Sequence, residues 1–111
     1  MPDNILIGPL GQSIRLTEER MDHILLEHPE MAGLQWAIAG TLESPDVQFP
    51  SRTDPERVRE FYREYANIGV GRFVKVVVCF ENDDPFVLTA HGCRRVPRRV
   101  GYGTQVGKYM V

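Results

Sequence analysis

The sequence predicts one domain of the α+β class, and three stretches of the chain support that prediction. Residues 17–28 show helical spacing of apolar side chains behind a residue suited to cap a helix. Residues 34–42 form a second, shorter helical segment. Residues 72–93 contain two runs rich in β-branched and aromatic residues, separated by turn residues at 82–85, which predicts an antiparallel hairpin. Helices and antiparallel strands that follow one another in separate blocks are typical of the α+β class.

The first helix is expected to begin after Thr17 and to end at His28. The Thr17 hydroxyl can accept a hydrogen bond from a backbone N–H of the first turn. Pro29 disfavours helical geometry in the residue that precedes it. The apolar stripe has the spacing i, i+3, i+4, i+7 and consists of Met21, Ile24, Leu25 and His28. The stripe of the second helix consists of Leu34, Ile38, Thr41 and Leu42.

The sequence pattern indicates the strands less uniformly than the helices. Residues 4–10 are apolar and are interrupted by Gly8-Pro9, which suits either an edge strand or an arm packed over the core. Residues 47–49 are typical of a short strand, and residues 72–81 and 86–93 form the hairpin. In residues 56–65 the apolar side chains fit helical spacing better than strand alternation, so that the pattern alone favours a helix there.

Composition limits the class of protein. The 111 residues are 42% hydrophobic and 25% charged, as in a soluble globular domain, and no apolar run approaches the roughly 20 residues that cross a bilayer. The N-terminus lacks the basic and long apolar regions of a signal peptide. Cys79 and Cys93 fit neither a CxxC motif nor a disulfide framework, so we expect a reduced, cytoplasmic protein, with their pairing left open. The oligomeric state is also left open.

Charge is distributed unevenly along the chain. Residues 1–91 contain 15 acidic and 8 basic residues, and residues 92–111 contain 5 basic residues and no acidic one. We therefore predict a single domain over residues 1–95 followed by a basic, glycine-containing tail over residues 96–111. A basic tail on an acidic body can contact a polyanion, or it can dock on the acidic surface of its own domain.

Five polar side chains, two on the first helix and three in the hairpin, are the candidates for chemistry. His23 and His28 lie on the first helix, with carboxylates one turn away from His23 on either side. Lys75, Thr89 and His91 lie within the two hairpin strands. The alternative interpretation is a solvated face for His23 and a semi-buried helix end for His28. The spacing of the two helical histidines is one residue longer than in HExxH zinc helices, so no metal or other cofactor is predicted.

Three motifs in a fixed order give a resemblance to a known family. They are LTxxRxxHIxxxHPE at residues 16–30, TLxxPD at 41–46, and the valine-rich strand followed by VLTA at 87–90. The chain resembles, over residues 14–95, the small phage and prophage domains grouped with barnase, EndoU, colicin E5/D and RelE as one nuclease fold. Met21 stands where that family usually has tryptophan, and His91 where an aromatic residue is common.

The resemblance implies N-terminal helices packed on a four-stranded antiparallel β-sheet, barnase/RelE-like in architecture. The four strands would be residues 47–49, 57–65, 72–81 and 86–93. Residues 57–65 are thereby expected to be a strand, against the interpretation from periodicity, because a meander of four strands gives each hydrophobic strand a partner.

The resemblance also implies metal-independent cleavage of RNA, in which the 2′-hydroxyl attacks the adjacent phosphate. Such a site needs a base, an acid for the leaving oxygen, and cations for the phosphorane charge. His23 or His28 would be the base or acid, and Thr89 would donate to a phosphate oxygen. Lys75 would neutralise charge on the reacting phosphate. Substrate-binding roles are expected for Arg52 and Arg72 at the phosphate, for Tyr62 or Tyr65 in stacking on a base, and for His91.

The expected function is accordingly a metal-independent endoribonuclease that acts as a toxin or phage effector. RNA is the expected partner, and an antitoxin or immunity protein is a second one. A membrane is not expected as a partner. The alternative is a non-catalytic RNA- or protein-binding module of the same fold, which the acidic body favours because it steers a polyanion poorly.

Overall fold

A computed structural model describes residues 4–66, 68, 69, 71–97 and 104–105, the last two through their backbone only. The fold belongs to the α+β class, as predicted. Helix α1 spans Glu18–Glu27 and helix α2 spans Gln35–Glu43, with a short 3₁₀ helix at Pro29–Met31 between them. None of the helices in the described ranges is long and apolar enough to span a membrane.

In the part of the chain that the structure describes, seven strands form one mixed sheet in the order β1-β2-β6-β5-β4-β3-β7. Neighbouring strands are antiparallel except β2 and β6, which are parallel and meet at the single pair Arg15–Phe86. The strands are β1 (Asn4–Ile7), β2 (Ser13–Leu16), β3 (Val47–Pro50), β4 (Val58–Glu64), β5 (Phe73–Cys79), β6 (Phe86–Cys93) and β7 (Thr104–Gln105).

The predicted four-stranded antiparallel sheet is therefore wrong in strand number and in being purely antiparallel. The four strands expected from the resemblance correspond to β3, β4, β5 and β6, which pair consecutively. The hairpin of β1 and β2 extends the sheet beyond β6, and β7 extends it beyond β3. Of the two alternatives for residues 4–10, the edge strand is the one observed, because β1 pairs only with β2 among the described strands.

The helix that periodicity favoured over residues 56–65 is wrong, since this segment contains β4. Its apolar side chains are buried on both faces of the sheet. Phe61 packs in the core beneath the helices, and Tyr62 packs in a second cluster on the opposite face. A strand that is buried on both faces loses the alternation of apolar and polar residues by which strands are recognised.

The main core lies between the helices and one face of the sheet. The opposite face carries a smaller apolar cluster built from β3 and β4, against which Cys93 and Val96 pack. The largest buried contributions to the main core come from β2, the helical segments and the centre of the sheet: Ile14, Leu16, Ile24, Met31, Ile38, Leu42, Phe61, Val74, Val76 and Val78.

The predicted ends of α1 are confirmed. Thr17 Oγ1 accepts a hydrogen bond from the Arg20 N–H at 3.0 Å. His28 is the C-terminal cap, and its N–H donates to the Ile24 carbonyl at 2.7 Å before Pro29 starts the 3₁₀ helix. The helix thus ends with an imidazole, and this end packs along β6.

Candidate functional site

Polar side chains form a row across the sheet face that is turned away from the helices. Lys75 of β5 is the direct partner of Tyr62 on β4 and of His91 on β6. Directly paired residues of antiparallel strands project from the same face. The neighbouring row contains Glu60, Val77 and Thr89 in the same order of strands. The fold therefore places three of the predicted catalytic or binding side chains, Lys75, Thr89 and His91, on one surface.

A buried carboxylate organises the middle of this row. Glu60 is only 8% exposed, and its Oε1 lies 3.6 Å from Lys75 Nζ. The same oxygen accepts a hydrogen bond from the Tyr62 hydroxyl at 3.1 Å. The Lys75 ammonium also lies 5.7 Å from the centre of the Tyr62 ring, within reach of a cation–π contact. A buried carboxylate is costly without such partners. Lys75 and Tyr62 therefore stabilise Glu60 in its buried position, and Glu60 in turn fixes the positions of their side chains.

Sequence reasoning missed Glu60. The signal was available, since an acid two residues before Tyr62 shares its face once the segment is a strand. The resemblance did give a strand here, but the role of Glu60 depends on its contact with Lys75 of the neighbouring strand, which the sequence alone does not show.

The second half of the site is a pair of stacked imidazoles. The rings of His28 and His91 lie 4.9 Å apart between centroids and are inclined by 25°. His91 Nδ1 lies 3.0 Å from the Gly92 carbonyl oxygen. A carbonyl only accepts, so Nδ1 is the donor and Nε2 is the basic nitrogen of the neutral His91 ring. His28 Nδ1 lies 3.6 Å from a carboxylate oxygen of Glu30.

His28 can contact His91 because most of the outer edge of β6 packs against the helices and does not pair with another described strand. The parallel ladder between β2 and β6 stops at Phe86, at the beginning of β6. Further along β6 the end of α1 and the 3₁₀ helix pack against the strand. We refer to His28, Glu60, Tyr62, Lys75 and His91 as the sheet-face cluster.

The remaining predicted site residues lie elsewhere. His23 bonds to Glu27 on its own helix, Nε2 to Oε1 at 2.8 Å, and borders a cavity that includes no residue of the sheet-face cluster. Arg52 is exposed in the loop after β3. Arg72 is exposed and forms an ion pair with Glu64.

Neither of the two tyrosines expected to stack on a base has a ring that is freely accessible for stacking. Tyr62 is 1% exposed, so it has no surface on which a base could stack, and this part of the prediction is corrected. Tyr65 packs edge-on against Trp36, with centroids 5.5 Å apart, and its hydroxyl donates to the Ala37 carbonyl at 3.0 Å. Tyr65 thus belongs to the contact between the sheet and α2.

The pKa of the Cys93 thiol is affected by the charge of the sheet-face cluster. Burial raises the pKa of its thiol, and the positive charge of Lys75 opposes that increase. Cys79 and Cys93 are both free thiols, which answers the question left open by the sequence.

The predicted basic tail lies mostly outside the described residues, including Arg98, Arg99 and Lys108. Within it, Val96 packs against the apolar cluster of β3 and β4, and Thr104–Gln105 pair with β3.

Within the described part of the chain, no group of three or more His, Cys, Asp or Glu side chains is arranged to hold a metal ion. Comparisons of the chain with protein-family models, with curated proteins and with solved structures find no match. The resemblance to the barnase–RelE group therefore depends on the sequence motifs alone, and the functional argument depends on the geometry of the sheet-face cluster.

Proposed function

We propose that this protein is a metal-independent endoribonuclease whose active site is the sheet-face cluster. The observation that supports the proposal is that the ring of His28 stacks on His91, whose cross-strand partner on the same sheet face is Lys75. A cleavage of RNA that uses no metal needs those groups, namely a base, an acid and a fixed cation. The barnase/RelE-like architecture is part of the same proposal, and it is supported by helices on one face of the β3–β6 meander.

The roles follow from the hydrogen bonds of each imidazole. His91 donates from Nδ1 to a backbone carbonyl, which leaves Nε2 to remove the proton from the ribose 2′-hydroxyl. The 2′-oxygen then forms a bond to phosphorus while the bond to the 5′-oxygen breaks. His28, whose charged form has Glu30 as a counterion, gives a proton to the leaving 5′-oxygen. The products are a 2′,3′-cyclic phosphate and a free 5′-hydroxyl.

Lys75 supplies the positive charge that the phosphorane requires. It is the cross-strand partner of His91, so its side chain projects from the same sheet face as that of His91. Its side chain is 21% exposed and is held by Glu60, which restricts its motion and keeps it partly shielded from water. Electrostatic stabilisation is strongest where the charge is fixed and water is limited. Thr89 lies on the same face and would donate to a non-bridging oxygen.

A non-catalytic binding module remains the second candidate, and two observations favour it. Glu60 already offsets the charge of Lys75, and the body of the protein is acidic, which weakens attraction of RNA. Such a module would hold RNA or a protein, for example an antitoxin or immunity partner, without cutting it. In the catalytic case the protein would act as a toxin or phage effector.

The test is incubation of the purified protein with a fluorescent mixed-sequence RNA in excess EDTA. The wild type is expected to cleave, and His28→Ala and His91→Ala are each expected to lose about 10²- to 10⁴-fold in rate, the usual contribution of a general acid or base. Arg57→Gln is the control, because Arg57 is exposed and pairs with Asp54 and Glu81 outside the cluster. Intact RNA with the wild type, or full activity in both histidine variants, would contradict the proposal.

A further inference from the structure

The outer edge of β1 has no partner among the strands that the structure describes. β1 (Asn4–Ile7) is the first strand of the sheet and pairs on its inner side with β2. The described part of the C-terminal tail, Thr104–Gln105, pairs with β3 at the opposite edge. Two apolar side chains of β1 are exposed, Ile5 by 57% and Ile7 by 47%. An exposed edge strand of this kind is a template for pairing with another chain.

The backbone groups available at this edge belong to Ile5 and Ile7. Gly8 donates its N–H to the Gln12 carbonyl at 2.8 Å, so these two residues form a hydrogen-bonded pair of the β1–β2 hairpin. Such pairs alternate along an antiparallel ladder, and the next one therefore includes Leu6. Ile5 and Ile7 consequently direct their N–H and C=O groups away from β2, toward the open edge.

β1 contains none of the features by which proteins protect an edge strand. Its four residues include no charged residue and no proline, and its register with β2 is continuous. Charged side chains, proline and bulges are the usual means of preventing edge-to-edge pairing. The body of the protein differs from this strand, since residues 1–91 contain 15 acidic and 8 basic residues. Two copies that met through most of the acidic surface would bring like charges together, whereas two β1 strands would not.

We propose that β1 is a dimerisation strand, which pairs in antiparallel fashion with β1 of a second copy of this chain. A two-fold axis at Leu6 places Ile5 opposite Ile7 of the second copy, and Ile7 opposite Ile5. Each of these pairs exchanges two hydrogen bonds, because the backbone groups of both residues face the seam. Leu6 packs in the main core, so the isoleucine side chains meet on the sheet face turned away from the helices.

The neighbouring strand also suits a second copy as the partner. On β2, Arg15 lies beside Ile5 and Ser13 lies beside Ile7. Each isoleucine pair across the seam is thus flanked by Arg15 of one copy and Ser13 of the other, and no like charges face each other. Arg15 already has Asp84 as a counterion at 2.7 Å. The contact between two short strands is small, so we expect a dimer that dissociates on dilution. The proposal does not depend on ribonuclease activity.

The experiment combines sedimentation equilibrium with amide hydrogen exchange of the full chain. Between about 1 µM and about 1 mM, the range of weak contacts, the average mass is expected to rise toward twice that of the monomer. The Ile5 and Ile7 amides should become protected over the same range, because they are hydrogen-bonded only in the dimer. The Leu6 amide is the internal control, since it bonds within the hairpin at every concentration. A mass that stays that of the monomer, or a dimer that leaves exchange at Ile5 and Ile7 unchanged, would overturn the proposal.

Charge variants test the register of the two strands. Ile5→Lys/Ile7→Lys places ammonium groups opposite each other across the seam, and Ile5→Glu/Ile7→Glu does the same with carboxylates. Each variant alone is expected to remain monomeric, because like charges directly opposite each other are destabilising. Their equimolar mixture is expected to associate more tightly than either variant alone, since every ammonium then faces a carboxylate. Circular dichroism checks that both variants are folded. Equal association of the mixture and the separate variants would overturn the proposal.

Discussion

Two regions of the molecule pair a histidine with carboxylates and cations, and they differ in how those groups are held. His23 and Glu27 lie one turn apart on α1, and their side chains are 50% and 54% exposed. The sheet-face cluster draws its residues from β4, β5, β6 and the end of α1, and its carboxylate is buried. An exposed pair on one helix is formed by local geometry and contributes little to stability. A cluster assembled from several elements exists only in the folded protein, and its groups cannot easily move apart.

The difference indicates which histidines are suited to catalysis. A catalytic group must be held in one geometry relative to the substrate, and His28 and His91 are fixed by a ring contact and by backbone position. His23 contacts Glu27, whose exposed side chain can rotate into solvent. The contrast can be tested by removing groups from each region.

Among the variants that compare the two regions, the largest effect is expected from removal of the charge on Lys75. Lys75→Met alone would leave Glu60 buried without its cation, so the double variant Glu60→Gln/Lys75→Met keeps the interior neutral. We expect this variant to remain folded and to lose about 10²- to 10³-fold in the rate of RNA cleavage, the range found when one stabilising group is removed from the developing charge. Circular dichroism checks the fold, and a fluorescent RNA assay measures the rate.

Arg57→Gln is the matched control for that variant, because it also removes one cation and leaves the cluster intact. A rate equal to that of the wild type in Glu60→Gln/Lys75→Met would exclude Lys75 from catalysis. Equal losses in both variants would mean that total positive charge, and not the cluster, determines activity.

The next prediction, with a smaller expected effect, compares how much a contact in each region contributes to the free energy of unfolding. Tyr62→Phe removes the buried hydrogen bond to the Glu60 carboxylate and is expected to lower the free energy of unfolding by about 1.5–3 kcal/mol. Glu27→Gln weakens the contact with His23 and is expected to change it by only about 0.2–0.5 kcal/mol, as for exposed pairs on helices. Urea denaturation measures both values. Equal losses would contradict the distinction between the tertiary cluster and the helical pair.

The same distinction explains what the sequence could predict. The ends of α1 follow from Thr17 and Pro29, which act within a few residues, and both ends were predicted. His28, Lys75 and His91 were each identified as polar residues in apolar surroundings. Their contacts were not predicted, because the stacking of His28 on His91 depends on how α1 lies along β6.

Two further features depended on distant parts of the chain. The parallel pair Arg15–Phe86 joins residues far apart in sequence, and no local pattern indicates it. Glu60 was missed because its role depends on its contact with Lys75 of β5, which no local pattern indicates. The resemblance to the nuclease group corrected the secondary structure of that segment, but it did not indicate the role of its acid.

The smallest expected effect concerns the ionisation of Cys93. Burial raises the pKa of its thiol, and the charge of Lys75 opposes this increase. Removal of that charge in Glu60→Gln/Lys75→Met should therefore raise the pKa further, so that the thiolate forms only at higher pH. The rate of alkylation by iodoacetamide, measured against pH in a Cys79→Ser background, should rise with its midpoint at higher pH than in Cys79→Ser alone. The midpoint is compared, because the absolute rate also depends on access to the buried thiol. An unchanged midpoint would mean that the ammonium of Lys75 does not act on this part of the sheet, and the electrostatic argument for the sheet-face cluster would fail with it.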